Sequence, residues 1–487
     1  MRYIRLILLF VSILLYASII FAASAQDETK WTIPEKLSET VLNEAGLPAS
    51  TMSPVLVADL WGNVHAIFAA KTGIGEGASF DTLYYSKFDG YNWTQPIDVL
   101  YKSGSNFWSP QLTVDSDGWL HLVWIDGPMA MYSQASAHAA DLADSWSEPI
   151  RVSQGTVRNA SIVAGLDGYV HMVYCSSEEL GYLAHARTAN GSDWSRPVEI
   201  AMVGGCWTRA AEDENGGLHV VYSEQPGAGV GSAVYYTRSA DGGASWSIPL
   251  LVDSKDEGYL ENYGPSWVNL ATVGTDEIHI IWDGTPAGQR WHQWSADRGE
   301  TWSKPSQISS IHRGLTEPNA LAVDSSGRVH MVSLGWLGAK DKPIGPFYTS
   351  WRDGLWSPLA FIGERGDWEP EGGSAAILGG NHLVAGWRHE TGEGNEVWVS
   401  DMAIDSPSIP PAIMPTPSPS VNLLEASVLP EIDSVSPTIV STAASFPEDQ
   451  PPTSRSSSDS ILAVSALVFF LLGIIVLIRL KRHSRRF

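Results

Sequence analysis

Three kinds of side chain recur at comparable places along this sequence, and together they suit the handling of a sugar. Trp108, Trp207 and Trp267 offer broad apolar faces, and Arg158, Arg209 and Arg388 offer forked cationic donors. Glu317, Glu369 and Glu371 offer carboxylates, with Asn269 and Asp283 as further polar partners. Indole rings stack on the C–H faces of a pyranose, and a guanidinium can grip a carboxylate through two parallel hydrogen bonds. Two carboxyls about 5 to 9.5 Å apart can serve as general acid and as base or nucleophile on a glycosidic bond. The three glutamates are therefore the catalytic candidates. The arginines, tryptophans, Asn269 and Asp283 are the ligand-binding candidates.

Other reactive groups read as architecture. His65, His121, His171, His219, His279, His330 and His382 look like a metal set, but each opens a similar short apolar run. They fall one per repeat and off any common centre, so no metal and no cofactor is expected. Asp115-Ser116-Asp117-Gly118 resembles part of a calcium loop but lacks the later ligands, and a hairpin turn explains it better. Asn92-Trp93-Thr94 and Asn190-Gly191-Ser192 match glycosylation acceptors, which matter only in a host that uses them. Cys175 and Cys206 fall at neighbouring strand ends of adjacent repeats, and in an oxidising compartment they are expected to form a disulfide.

These residues must be positioned by a repeated unit. His121-Leu122-Val123-Trp124 recurs as His171-Met172-Val173-Tyr174, His219-Val220-Val221-Tyr222 and His279-Ile280-Ile281-Trp282, with weaker copies at His65, His330 and His382. Between them runs Trp-x-x-Pro, at Trp93, Trp146, Trp194, Trp246 and Trp302, with a shortened copy at Trp356 and another at Trp31. Each unit reads as four short strands. Gly turns join them, and Pro stands where an edge strand can spare a ladder donor. Such a sheet repeated radially is a β-propeller blade. The last repeat lacks its Trp-x-x-Pro strand, and the copy at Trp31 lacks inner strands. The N-terminal strand should thus complete the last blade of a seven-bladed, all-β ring, six blades being the alternative. First-strand starts and second-strand ends then share one face around a central funnel, here called the funnel face. The Asp-Gly turns share the other, the turn face. Second-strand ends add Trp124, Asp126, Glu224, Trp282 and His389 to the funnel-face candidates, and first-strand starts add Asn159 and Asn319.

Two turns carry a sharper pattern, S-x-D-x-G-x-x-W: Ser239, Asp241, Gly243 and Trp246, then Ser295, Asp297, Gly299 and Trp302. This resembles the Asp-box of the sialidase-like, or BNR-repeat, propellers over residues ~31–404. The resemblance implies a propeller and, in true sialidases, an arginine triad opened by an R-I-P motif, a Tyr–Glu nucleophile pair and an Asp acid/base. This chain has no R-I-P. The resemblance leaves glycoside hydrolysis, glycan binding and a protein-interaction scaffold all open.

The chain ends bear on location. Arg2 and Arg5, an apolar run from Leu6 to Ala22 and Ala23-Ser24-Ala25 read as a signal peptide over 1–25. A Pro/Ser/Thr-rich stretch, 405–460, reads as an extended, solvated stalk. Ile461 to Ile478 is uncharged and, at about 1.5 Å per residue, reads as a membrane-spanning helix before a basic tail over 479–487. The expectation is a single-pass plasma-membrane protein with residues 26–404 outside, monomeric, meeting glycans or glycoproteins. Between the two basic ends stand 23 Lys+Arg against 54 Asp+Glu, a charge that repels phosphate backbones and argues against nucleic acid. Two cysteines exclude a disulfide-dense scaffold and a Cys-rich zinc module.

Overall fold

The computed structural model describes residues 31–413, except 76, 154, 177–180, 226–230, 255–263, 285–288, 313–318, 338–343, 364–369 and 393. The expected signal peptide, membrane helix, basic tail and most of the stalk lie outside the described residues, as do Glu317 and Glu369. Among the described residues no helix is long and apolar enough to cross a membrane.

Seven antiparallel blades form the ring. The second is typical: Phe107–Val114 lies innermost, followed outward by Trp119–Asp126, Met129–Ser136 and Ile150–Arg151. The innermost strands of the other blades are Val55–Ala58, Val157–Ala164, Cys206–Glu212, Ser266–Val273, Ala320–Val323 and Pro370–Leu378. The fifth and sixth blades also touch through Ile311–His312 against Trp336–Leu337. The last blade has three strands of its own, Pro370–Leu378, His382–Thr391 and Gly394–Ala403. Its outermost strand is Glu35–Lys36, paired with Val399 and Trp398, so the N-terminus closes the ring as the repeat phase requires.

The repeat histidines explain why blade stacks on blade. His121 is buried on the second strand, with Nε2 3.1 Å from Asp115 Oδ2 and Nδ1 2.7 Å from the Tyr132 hydroxyl on the third strand. Asp115 also accepts the N–H groups of Asp117 and Trp119, which makes its segment a hairpin turn. Burial works to raise the Asp115 carboxyl, but the hydrogen bonds from His121 and Trp119 outweigh it and hold the group below the usual carboxylate range. The same relay recurs as Asp59–His65–Tyr85, Asp213–His219–Tyr236 and Asp324–His330–Tyr348. In the third and fifth blades a histidine replaces the tyrosine: Asp167–His171–His185 and Glu277–His279–His292. The last blade uses His382 and Asp401 alone, 2.6 Å apart. Among the described residues no group of three His, Cys, Asp or Glu is arranged to hold a metal.

Each relay ends on the next blade. Tyr132 meets Trp194 edge-on at 5.2 Å, His185 meets Trp246 at 5.5 Å, and Tyr236 meets Trp302 at 4.8 Å. Tyr348 reaches Trp31, beside the closing strand, at 5.7 Å. The two S-x-D-x-G-x-x-W turns serve this contact. Asp241 accepts the Ser245 N–H at 2.8 Å and its hydroxyl at 2.6 Å, which draws the carboxyl down to about 2. Trp246 Nε1 donates to the Gly243 carbonyl at 3.2 Å, fixing the ring. Asp297, Thr301, Gly299 and Trp302 repeat the arrangement. Gly243 and Gly299 sit at φ +82° and +80°, and a Cβ there would strike His185 and Tyr236 respectively. Glycine is required both by the turn and by the neighbouring relay.

Two expectations follow. Trp246→Ala removes a ring that packs the third blade on the fourth, and should cost about 3 kcal/mol in urea unfolding; a loss below 0.5 kcal/mol would contradict the role. Stability should also fall with acid. Burial first, then the nearby His171 and Arg187, lower His185 from 6.5 to about 3. Its folded value lies below its unfolded one, so its contribution is complete above pH 6.5 and is lost as pH falls toward 3. Between pH 6.5 and 5 this amounts to about 2 kcal/mol for His185. His171, His219, His292 and His330 are shifted the same way, burial being the main cause in each. Thermal unfolding followed from pH 7.5 to 5 should show a steadily falling Tm, and a flat profile would contradict it.

Candidate functional site

The innermost strands begin at the funnel face, and six blades send residues into one central cavity of about 410 Å³. Its walls hold Trp108 from the second blade, Trp207 and Arg209 from the fourth, and Trp267 and Asn269 from the fifth. Met52, Pro54 and Leu56 of the first blade and Gly372–Ser374 of the last complete it. The three indoles form a ladder: Trp108 meets Trp207 edge-on at 6.2 Å, and Trp207 meets Trp267 at 5.2 Å and 48°. Arg209 is the single ionisable side chain among the described residues that line the cavity, and its Nη1 donates to the Thr208 carbonyl at 2.9 Å.

The ladder depends on a backbone device. The pairing of first and second strands slips between Trp108 and Gln111, between Ser266 and Asn269, and between Glu371 and Ser374. Inside these bulges Ser109, Trp267 and Gly372 take φ of +51°, +51° and +53°. All three residues line the cavity. A bulge re-aims a side chain, and the left-handed conformation costs a residue other than glycine roughly 1–2 kcal/mol. Glycine occupies the position in the last blade. In the fifth blade the costly residue, tryptophan, is the one that faces the funnel.

Asn159 explains how Trp108 and Trp207 meet across the intervening third blade. It is fully buried, donates from Nδ2 to Ser109 Oγ at 3.0 Å and accepts the Thr208 N–H on Oδ1 at 2.8 Å. One amide thus ties the neighbours of both indoles. Beside it, Cys175 and Cys206 are bonded, with Cα atoms 5.4 Å apart, and so pin the start of the strand that carries Trp207. Asn269 donates from Nδ2 to the Asn319 carbonyl at 2.7 Å and accepts the Leu270 N–H, which holds its amide against the wall.

Several other candidates lie away from the cavity. Arg158 is half-buried, not a lining residue, and its Nη1 lies 3.4 Å from the Gln225 carbonyl; burial lowers its pKa. Glu371 and Arg388 stand opposite one another on paired strands and form an ion pair. Asp283 is buried against Arg290, 2.5 Å away, and desolvation outweighs that arginine and Asn319 to push the carboxyl up to about 7. Asp283 and Arg388, expected to bind ligand, and Glu371, expected to catalyse, are instead engaged inside their own blades. Trp124 and Trp282 are also core residues, each 1% exposed, with Trp282 Nε1 donating to Asp253 at 2.7 Å. Asp126 takes Lys102 and Ser105, and Glu224 takes Ser232. Second strands stand one place from the axis, so these side chains meet neighbouring strands and blades rather than the channel.

No protein-family model matches the chain, and no curated protein matches it. Solved structures do resemble it. The BP39L lectin from Burkholderia pseudomallei is 13% identical, covering 74% of this chain and 99% of its own, at a TM-score of 0.51. The NanB sialidase from Streptococcus pneumoniae is 12% identical, covering 77% and 71%, at 0.46. A protein of unknown function from Dyadobacter fermentans is 14% identical, covering 78% and 100%, at 0.46. At such identities the likeness concerns the fold.

Asn159→Ala should leave the Thr208 N–H without its acceptor and cost about 1–3 kcal/mol in urea unfolding. The Trp signal in near-UV circular dichroism should weaken as the ladder loosens. An unchanged spectrum together with unchanged stability would remove Asn159 from this positioning role.

Proposed function

We propose that the funnel is a carbohydrate-binding site and that the protein works as a glycan-recognition propeller, binding its ligand without cleaving it. The observation that carries this reading is the composition of the cavity. It has three indoles packed in series, one guanidinium and several amide and hydroxyl groups. Among the described residues lining it there is no carboxylate. Glu371 and Asp283, the described acids expected near it, are held in ion pairs. Hydrolysis needs two free carboxyls at glycosidase spacing, whereas binding needs only stacking faces and a few oriented polar groups. A cavity of about 410 Å³ falls within the ordinary range of small-ligand sites.

The display of this site at a cell surface belongs to the same proposal. It is supported by the basic-apolar-A-x-A pattern of residues 1–25 and by the uncharged run Ile461 to Ile478 ahead of five basic residues.

The test is to present the full chain with a mixed pool of neutral and acidic glycans and to read retained and cleaved species by mass spectrometry. Retention without cleavage is expected. Trp207→Ala should weaken retention of the captured glycan at least about tenfold, as loss of a central aromatic anchor does. Trp267→Gly should weaken it too without unfolding the protein, because glycine takes the left-handed conformation at no steric cost. Released sugars, or retention unaffected by both substitutions, would overturn the reading.

A further inference from the structure

Residues 405–412, the described start of the Pro-rich stretch after the last blade, lie against the ring. Residues 405–412 run without regular structure over the turn face. The Ile404 N–H donates to the Asn381 carbonyl at 2.9 Å and the Ile409 N–H to the Gly379 carbonyl at 2.7 Å, both on the last blade. The Ser406 hydroxyl lies 2.9 Å from Ser325 Oγ and accepts the Ser326 N–H at 3.1 Å, on the sixth blade. The Ala412 N–H donates to the Leu60 carbonyl at 2.8 Å, on the first. Bare backbone lies beneath: a Cβ on Gly62 would stand 3.2 Å from Pro411, and one on Gly380 would stand 2.9 Å from Ile409.

The place of these contacts matters more than their number. The segment joins the first blade to the sixth and seventh, across the seam where the ring's two ends meet. At that seam the N-terminal closure has two register pairs, Glu35 with Val399 and Lys36 with Trp398, flanked by bonds from Thr32 to Asp401 and from Ser38 to Val397. Below the segment lies a cavity of about 640 Å³. Its walls come from turns of the first, fourth, fifth, sixth and seventh blades. Blades on opposite sides of a ring can share one cavity only at the axis, so this is the turn-face end of the central channel. Ile409, Pro410 and Pro411 roof it.

We infer that residues 405–412 are a C-terminal clasp, a second closure of the propeller that holds the first blade to the last two and supports the short N-terminal pair. Prolines suit the role. They hold the segment extended before it docks, so less chain entropy is lost on docking. The inference stands apart from what the funnel binds, since none of its readouts involves a ligand.

The experiment uses the full chain. Ser325→Cys with Ser406→Cys places two thiols where the hydroxyls now meet, and mild oxidation should cross-link them, as peptide mass spectrometry would show. Hydrogen exchange should find the Ile409 and Ala412 amides slowed at least about tenfold relative to open chain. Ile409→Asp should lower the Tm by a few degrees and speed exchange at Glu35 and Lys36, while Ile409→Leu should restore both. Absence of the cross-link would overturn the clasp. So would an Ile409→Asp protein whose Tm and closure-strand exchange match the parent.

Discussion

The propeller depends on one repeated contact: a buried histidine that holds a carboxylate on one side and an aromatic or imidazole ring on the other, with that ring pressed on the next blade's tryptophan. Each member solves a problem for another. The carboxylate shapes the hairpin and fixes the imidazole, the imidazole orients the third-strand ring, and the ring gives the next blade's tryptophan an edge to pack on. The Tyr132 and Tyr236 hydroxyls are pushed above their ordinary values by burial, so they stay neutral beside the imidazoles they meet. The relay is polar throughout yet sits inside a sheet stack. It is tolerable because each buried histidine finds a carboxylate within its own blade and, in six of the seven, a third-strand ring as well. The full relay is present in six blades, and the last blade keeps only its histidine–carboxylate half.

This regularity made the fold legible in the sequence. The histidine and the Trp-x-x-Pro strand each appear once per blade, and their relative phase was enough to place the N-terminal strand in the last blade. The funnel was only partly legible. Trp108, Trp207, Trp267, Arg209 and Asn269 were found from strand direction alone, because an innermost strand must begin near the axis. The ion pairs of Asp283, Glu371 and Arg388 were not legible, because their partners, Arg290 for the first and each other for the rest, stand opposite on paired strands, and pairing register is not written in any local motif. The bulges at Ser109, Trp267 and Gly372 were invisible for a related reason. An extra residue in one strand leaves no mark on a two-residue alternation unless the partner strand is known.

Those bulges separate the funnel from the rest of the ring. Elsewhere the left-handed positions lie in turns and are mostly glycine, with Arg298 and Asp353 as exceptions. At Trp267 the rule is broken at a lining position, and the indole it delivers completes a contact with Trp207. Asn159 and the Cys175–Cys206 bond then brace the neighbouring wall from behind. Strain at the surface of a cavity, held by a buried amide and a covalent link, is what a site that must keep a fixed shape requires.

The two ends of the axis are accordingly unlike. At the funnel face the channel is lined by indoles and one guanidinium. At the turn face it is roofed by a segment whose backbone hydrogen-bonds to the blades. The described funnel lining carries a single positive charge, in a chain whose formal net charge is −24. Salt screens charges over about 8 Å at physiological strength, so within the funnel Arg209 counts for more than the acidic exterior. Outside it the acidic exterior repels anions that come within that range. Under the proposed role, a glycan with one acidic group would meet neither obstacle fully: its uncharged bulk is indifferent to the outer field, and its acid would be attracted once inside. A polyanion would be turned away before the guanidinium could act on it. Under the proposed carbohydrate-binding role, the charge arrangement would select against highly charged polymers more strongly than for any one sugar, and the indole ladder would supply most of the remaining discrimination by shape.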